Sequence, residues 1–444
     1  MRKSFVLCML PAVALMLGLV FSGCSSAGDD GISRIPEQDL VYELPAEYQA
    51  IFAESDYIQP DDITGKVPTG HTLMDFYADF IYRDCLETTF NSVERSGARR
   101  LIYFNWASYR DQGTADTPPV FDYLGSRDAY GFRSATSAEI RAMAAEASAR
   151  GLDFVLGLEL NYDLAYLAGP GAGGWDWNEY RAFIDDFITF LNDTGDAVAT
   201  ASSEDFAYKY WDNWFSAYTA FVVEQAVIAE DAGISMLIIG KQLAGAVRDA
   251  NADRWGDLIT EVRAVYSGDI AYAGVVSGSM GGTLYHELEQ FPVDDLDAAV
   301  IVPWAEIMDV DDPGIAGLKS AFEDFHDTTA EALTGSSTGT PSVPVIYLNP
   351  FMSCSGAPRQ VWFEPADHSN PDISQDLLIQ ARMYEAFFQS VQGRGWIDEV
   401  WSWGFWWRNR GDTMYRYGDS SFSKASSVRN KPAVEIMKKW SDVE

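Results

Sequence analysis

The stretch SMLIIG, Ser235 to Gly240, is an apolar run without alternation, closed by a glycine and opening onto Lys241-Gln242. A strand with one wet face alternates apolar and polar residues, whereas an unbroken run reads as a strand covered on both faces, as in a parallel sheet wrapped by helices. Six further runs read the same way: RRLIYFNW (99–106), LDFVLGLEL (152–160), IAYAGVV (270–276), AAVIVPW (298–304), VPVIYLN (343–349) and DEVWSWGFWW (398–407). Between them lie helical patterns, SAEIRAMAAEASARG (137–151), WNEYRAFIDDFITFLND (177–193), ADRWGDLITEVRAVYSG (252–268) and SQDLLIQARMYEAFFQSVQ (374–392). The first is expected to start with Ser137 at its cap and to end at Gly151. With an eighth, obscure strand before Ile81, the alternation predicts an α/β fold, a single (β/α)8 TIM barrel over 71–444. An open doubly wound sheet would need a glycine-rich phosphate loop after its first strand, and YFNWASYRDQ is nothing of the kind.

The N-terminus carries two basic residues, an apolar run from Phe5 to Phe21 and small residues before Cys24. This reads as a signal peptide over 1–23. Phe21-Ser22-Gly23-Cys24 resembles a bacterial lipobox, which makes Cys24 the expected lipidated first residue and places the protein in the cell envelope, periplasmic or at the surface. Residues 24–70 are expected to be a polar tether and N-terminal extension. A net charge of −35 leaves no basic face for nucleic acid. Cys85 and Cys354 are too few for a disulfide scaffold or a thiolate cluster; two unpaired cysteines are expected over a disulfide. His71, His286, His326 and His368 lack ligand spacing, and DVDDPG (309–314) lacks the calcium-loop pattern and reads as the start of a helix. Neither a metal nor a cofactor is expected.

In a barrel of this class the site is built at the C-terminal ends of the strands. Those ends carry Asn105, Trp106 and Tyr109; Glu159, Asn161 and Asp163; Lys241 and Gln242; Trp304 and Glu306; Asn349; and Trp401, Trp403, Trp406 and Trp407. Aromatic faces beside amides and a few acids suit sugar rings, whose flat faces stack and whose hydroxyls are read by polar side chains. An oligo- or polysaccharide is the expected ligand, with Asn105, Trp106, Glu159, Asn161, Lys241, Gln242, Trp304, Glu306, Asn349, Trp403 and Trp406 as candidate contacts.

Several segments, taken in order, resemble glycoside hydrolase family 113, a group of clan A barrels acting on β-mannan. They are YRDCLETTFNSVERSGARRLIYFNW, then WFSAYTAFVVEQAVIAEDAGISMLIIGKQLAG with RWGDLITEVRAVYSGDIAYAG, and finally WIDEVWSWGFWWRN with SSVRNKPAVEIMKKW. The resemblance spans about Leu73 to Trp440. It implies a retaining site with one glutamate after strand four and another after strand seven, about 5–5.5 Å apart. The family's Gly-Thr-Glu-Leu corresponds to Gly240-Lys241-Gln242-Leu243, and its Phe-Thr-Glu to Tyr347-Leu348-Asn349. Gln242 and Asn349 thus stand at the acid/base and nucleophile positions. An amide neither gives up a proton near neutral pH nor forms a glycosyl ester.

No Asp or Glu lies between Met236 and Arg248 or between Ser342 and Arg359, so a shift of register does not restore the pair. Three readings follow. One is a degenerate hydrolase that binds carbohydrate. Another is an active glycosidase with relocated carboxylates, for which Glu159, Asp163 and Glu306 are the candidates. The last is an envelope scaffold that binds no sugar. A Schiff-base role for Lys241 has no supporting signal in the sequence, and a lysine pointing into solvent or paired with Glu159 accounts for it more simply.

Overall fold

The computed structural model describes residues 41–73, 79–110, 118–122, 134–162, 204–243, 245–247, 251–276, 278–280, 283–285, 287–303, 307–310, 313–359, 372–405, 407 and 424–441. Eight of its strands are parallel: β1 Thr69–Leu73, β2 Arg100–Arg110, β3 Asp153–Tyr162, β4 Met236–Lys241, β5 Asp269–Val275, β6 Ala298–Val302, β7 Val345–Asn349 and β8 Ile397–Phe405. Each pairs with its successor, and β1 pairs with both β2 and β8, so the sheet closes on itself. The expected (β/α)8 barrel is present. The obscure first strand is TGHTL, which reads poorly as a strand because Gly70 and His71 interrupt it.

The helices are α1 Ala46–Phe52, α2 Asp79–Arg95, α3 Ser137–Ala149, α4 Glu204–Ala232, α5 Ala252–Arg263, α6 Ile315–Thr334, α7 Leu377–Val391 and α8 Pro432–Trp440. Helix α3 is capped by Thr136 and not by Ser137: Thr136 Oγ1 accepts from the Glu139 N–H while Glu139 bonds back to the Thr136 N–H. Ser137 is instead the first helical residue, because the reciprocal box needs its acid three places after the cap. Helix α8 starts with Pro432, whose missing N–H costs nothing at that position. Helix 177–193 falls outside the described residues. None of the described helices is long and apolar enough to cross a membrane.

The described part of the segment expected as tether and extension, residues 41–70, packs onto the barrel. Tyr57 is buried, the Ile58 N–H donates to Glu385 Oε1 at 2.9 Å, and β1 begins at Thr69. Glu385 is a hub: Lys439 Nζ at 2.6 Å and Trp440 Nε1 at 2.9 Å also donate to it, tying this segment to α7 and α8.

The core has two shells. Outward-facing strand residues pack on the helices. The inner shell fills the barrel with Ile102, Phe104, Val155, Met236, Ile238, Leu348, Trp401, Trp403 and smaller residues of β5 and β6. Large side chains lie against glycines: a Cβ on Gly70 would stand 2.6 Å from Trp401 Cδ1, and one on Gly157 would stand 2.3 Å from Phe104 Cδ1. Below this layer the barrel is closed by Arg100, paired with Glu399 at 2.7 Å, and by Trp401 Nε1, which donates to the same carboxylate at 2.7 Å. Burial pushes the Glu399 carboxyl up, and Arg100 opposes that shift.

Cys85 and Cys354 are buried and form no disulfide, as expected. His71 and His326 are core residues. His71 bonds Ser402 Oγ at 2.7 Å and Ser96 Oγ at 2.8 Å, and His326 bonds Tyr347 OH at 3.0 Å and Ser390 Oγ at 2.9 Å. No group of metal-ligating side chains occurs among the described residues.

Candidate functional site

The mouth of the barrel is shaped by an irregularity in β4. Ile238 pairs with Ala271 of β5, but the next pair is Lys241 with Ala273, so β4 carries one extra residue. Ile239 faces the outer shell, and a Cβ on Gly240 would meet Tyr272 and Tyr218, which also lie outside the barrel. Two successive residues therefore face outward, as in a β-bulge. Counting alternate residues from Met236 and Ile238 would aim Gln242 into the barrel; the bulge aims Lys241 there instead. Gln242 leaves the strand with φ +55, a left-handed backbone that is uncommon outside glycine, and its N–H donates to Ala273 O at 2.9 Å.

A brace outside the barrel holds this bulge. Tyr218 OH donates to Ile239 O at 2.8 Å, and Tyr272 OH donates to Glu287 Oε1 at 2.5 Å while accepting from the Leu243 N–H at 2.8 Å. Glu287 Oε2 also accepts from the Val275 N–H at 3.2 Å. Burial pushes the Glu287 carboxyl up to about 7, against the pull of these hydrogen bonds. In the sequence Glu287 stands out only as a neighbour of His286, and nothing local marks it as a support.

Lys241 enters the mouth with its side chain 2 % exposed. Its Nζ lies 2.7 Å from Glu159 Oε1, 4.6 Å from the Phe104 ring centroid and 4.3 Å from the Trp403 ring centroid. A carboxylate and two aromatic faces thus enclose one ammonium, an arrangement that stabilises positive charge through both the ion pair and the ring quadrupoles. Phe104 is a member of this site that strand-end reading passes over, because it lies in the middle of β2, one inward position before Trp106. Its signal in sequence is Gly157, the small residue opposite it in register.

Three buried side chains near the C-terminal ends of the strands carry polar atoms without hydrogen-bond partners, and two of them, Trp106 and Thr72, lie on the inward side. Trp106, opposite Glu159 in register, is 3 % exposed, and its Nε1 donates to nothing. Thr72, the inward residue of β1 after Gly70, is buried with Oγ1 unpartnered. Asn349 ends β7 wholly buried, and neither atom of its amide is bonded. Buried polar atoms in native folds are nearly always satisfied, so such a set marks a place for water or ligand hydroxyls. Within β7, Ile346 and Leu348 belong to the inner shell and Tyr347 to the outer, so alternation leaves Asn349 on the Tyr347 side.

The other candidates are placed as follows. Asn105 faces α4: its Oδ1 accepts from the Ala135 N–H at 3.0 Å, and its Nδ2 donates to Gln225 Oε1 at 3.2 Å. Trp401 lies in the inner shell, while Trp407 packs outside near Tyr103. Tyr109 and Asn161 lie on β2 and β3, and their side chains fall outside the described residues, as do Asp163, Trp304, Glu306 and Trp406. The side chains shown to meet at the mouth are thus Phe104, Glu159 and Trp403, each against Lys241. Gln242 and Asn349, expected to face each other, are not among them, for the reason given by the bulge and by the alternation of β7.

The family model of Glycoside Hydrolase Family 113 matches residues 190–281, the stretch containing α4, β4, α5 and β5. A GH113 β-1,4-mannanase in a complex superposes with a TM-score of 0.56 at 17% identity, covering 85% of this chain and 99% of that one. The GH113 β-mannanase from Alicyclobacillus acidocaldarius in complex with ManMIm gives 0.54 at 17% identity, covering 84% and 96%. No curated protein matches the chain. In the sequence of its β4 region this chain resembles glycoside hydrolase family 113, and it shares the (β/α)8 barrel of that family's solved β-mannanases.

Proposed function

We propose that this chain is a carbohydrate-binding protein of the bacterial cell envelope, built on a family 113-like barrel that no longer performs retaining hydrolysis. The observation that carries the reading is the end of β4, where Lys241, held against Glu159, enters the barrel. A retaining clan A enzyme needs a carboxyl there, and a second after β7, to protonate the leaving oxygen and to attack the sugar. Gln242 and Asn349 supply neither, and no Asp or Glu lies within the sequence windows 236–248 and 342–359 around them. The unpartnered Trp106 and Thr72 atoms support a ligand rich in hydroxyls, and Trp403 on β8 offers a ring at the same mouth. The family's association with mannan supports β-mannan or a related β-glycan. The signal pattern before Cys24 supports lipid anchoring, with the polar residues that follow as the tether.

The active-hydrolase reading rests on Glu159, the one of the three relocated carboxylates whose side chain is described, at the mouth and 23 % exposed. A titration of the full chain with mannan- and glucan-type oligosaccharides separates the readings, with tryptophan fluorescence and released reducing ends followed together. Binding without release is expected. Steady release would overturn the binding-only reading and point to Glu159, while silence in both signals would favour a scaffold.

A further inference from the structure

Two rings and a carboxylate around an ammonium form a cation site, and here the occupant is the protein's own Lys241. We propose that Lys241 is a placeholder, and that the glycan taken by this cleft carries free amino groups, one of which replaces the lysine between Phe104, Trp403 and Glu159. This rests on the carbohydrate-binding reading above and names the ligand class within it.

Three observations point the same way. The Lys241 Nζ distances to Phe104, Trp403 and Glu159, 4.6, 4.3 and 2.7 Å, are those of a cation seated on aromatic faces with a counter-charge. An ammonium on a sugar presents the same charge and donors, so exchange leaves the electrostatics of the site unchanged. Lysine is also suited to leave: it ends its strand, its stem is flexible, and its displaced head regains hydration and rotamer freedom. Finally, a chain of net charge −35 draws cationic ligands toward itself and repels uronate-rich glycans, so the long-range field and the local site agree on the sign of the ligand. The unpartnered Trp106 Nε1 and Thr72 Oγ1 are then available to hydroxyls of the same residue.

The test compares three probes on the full chain by tryptophan fluorescence at about pH 5.5, well below the α-amino range so that the less basic sugar amines are protonated. They are a β-1,4-linked glucosamine tetramer, its N-acetylated counterpart and mannotetraose. The amino tetramer is expected to bind at least about tenfold tighter than the acetylated one at low salt, with the gap narrowing as salt rises. Lys241→Ala should tighten the amino tetramer by a further factor of about ten, because the competitor is gone, and Glu159→Gln should weaken it by a similar factor. Weaker binding by Lys241→Ala would make the lysine a ligand contact and overturn the proposal; Lys241→Met serves should the alanine variant fail to fold. Equal or weaker binding of the amino tetramer beside good mannotetraose binding would also overturn it while leaving the carbohydrate-binding function standing. Failure of all three probes would remove both.

Discussion

The Lys241 ammonium and the Glu159 carboxylate meet at 2.7 Å across the paired strands β4 and β3, the lysine enclosed and the glutamate partly open to solvent. This asymmetry makes the two partners unequal under mutation. Glu159→Gln leaves a buried ammonium without that counter-charge, at a cost of about 2–3 kcal/mol once partial exposure is allowed for. Lys241→Met keeps the volume and strands only a carboxylate that water can reach, so it should cost less. Chemical denaturation of the two variants, compared at equal slope, measures the order.

Gly157 and Phe104 share the inner shell with no room between them. Gly157→Ala should destabilise the barrel by about 2 kcal/mol, since its Cβ would stand 2.3 Å from the Phe104 ring and that ring also supports Lys241. The double variant Gly157→Ala with Phe104→Leu should recover part of the loss in midpoint temperature. Failure of any recovery would show that the strain lies elsewhere.

Gln242 sits at φ +55 without the freedom of glycine. Gln242→Gly should stabilise by up to about 1 kcal/mol by relieving that backbone, whereas Gln242→Val should destabilise by more, because a branched Cβ tolerates the left-handed region worse. Equal denaturation midpoints for the two would argue that the turn relaxes freely.

Four buried groups give the stability a pH profile. His71 and His326 are held neutral by burial, their pKa values lowered to about 3, while the unfolded chain protonates them near 6.5. Their contribution is complete above about pH 6.5 and is lost as the pH falls toward 3, at about 1.4 kcal/mol per unit for each. Glu287 runs the other way: its pKa of about 7 in the fold makes its contribution complete below about 4.5 and lost as the pH rises to 7. Lys431 is lowered to about 7 by burial, so stability should climb between about pH 7 and 10.5. Unfolding free energy measured across this range should show the acid loss steepen in Glu287→Gln, where the opposing slope is absent.

Strand β1, TGHTL, was obscure because it lacks an apolar run. The other seven strand runs, their order and the barrel they imply were legible because strands buried on both faces are mostly apolar throughout, a property those segments carry by themselves. The absence of carboxylates around 236–248 and 342–359 was legible for the same reason, since it is a matter of composition in a short window. Which residue at the end of β4 enters the barrel was not. The parity of the strand runs through Ile238 to Gln242, and only the extra residue at Ile239–Gly240, held outside by Tyr218, Tyr272 and Glu287, turns Lys241 inward. Those supports come from α4, β5 and the segment beyond it, distant in sequence. Asn105 shows the converse: its position at a strand end suggested the mouth, but Gln225 on α4 and the Ala135 main chain claim it for the outer shell. Sequence by itself determined that a parallel barrel forms and what its strand ends can offer chemically, because burial pattern and side-chain chemistry are local. Tertiary structure alone decided which of those side chains meet, because facing direction depends on a bulge set by partners that local pattern does not encode.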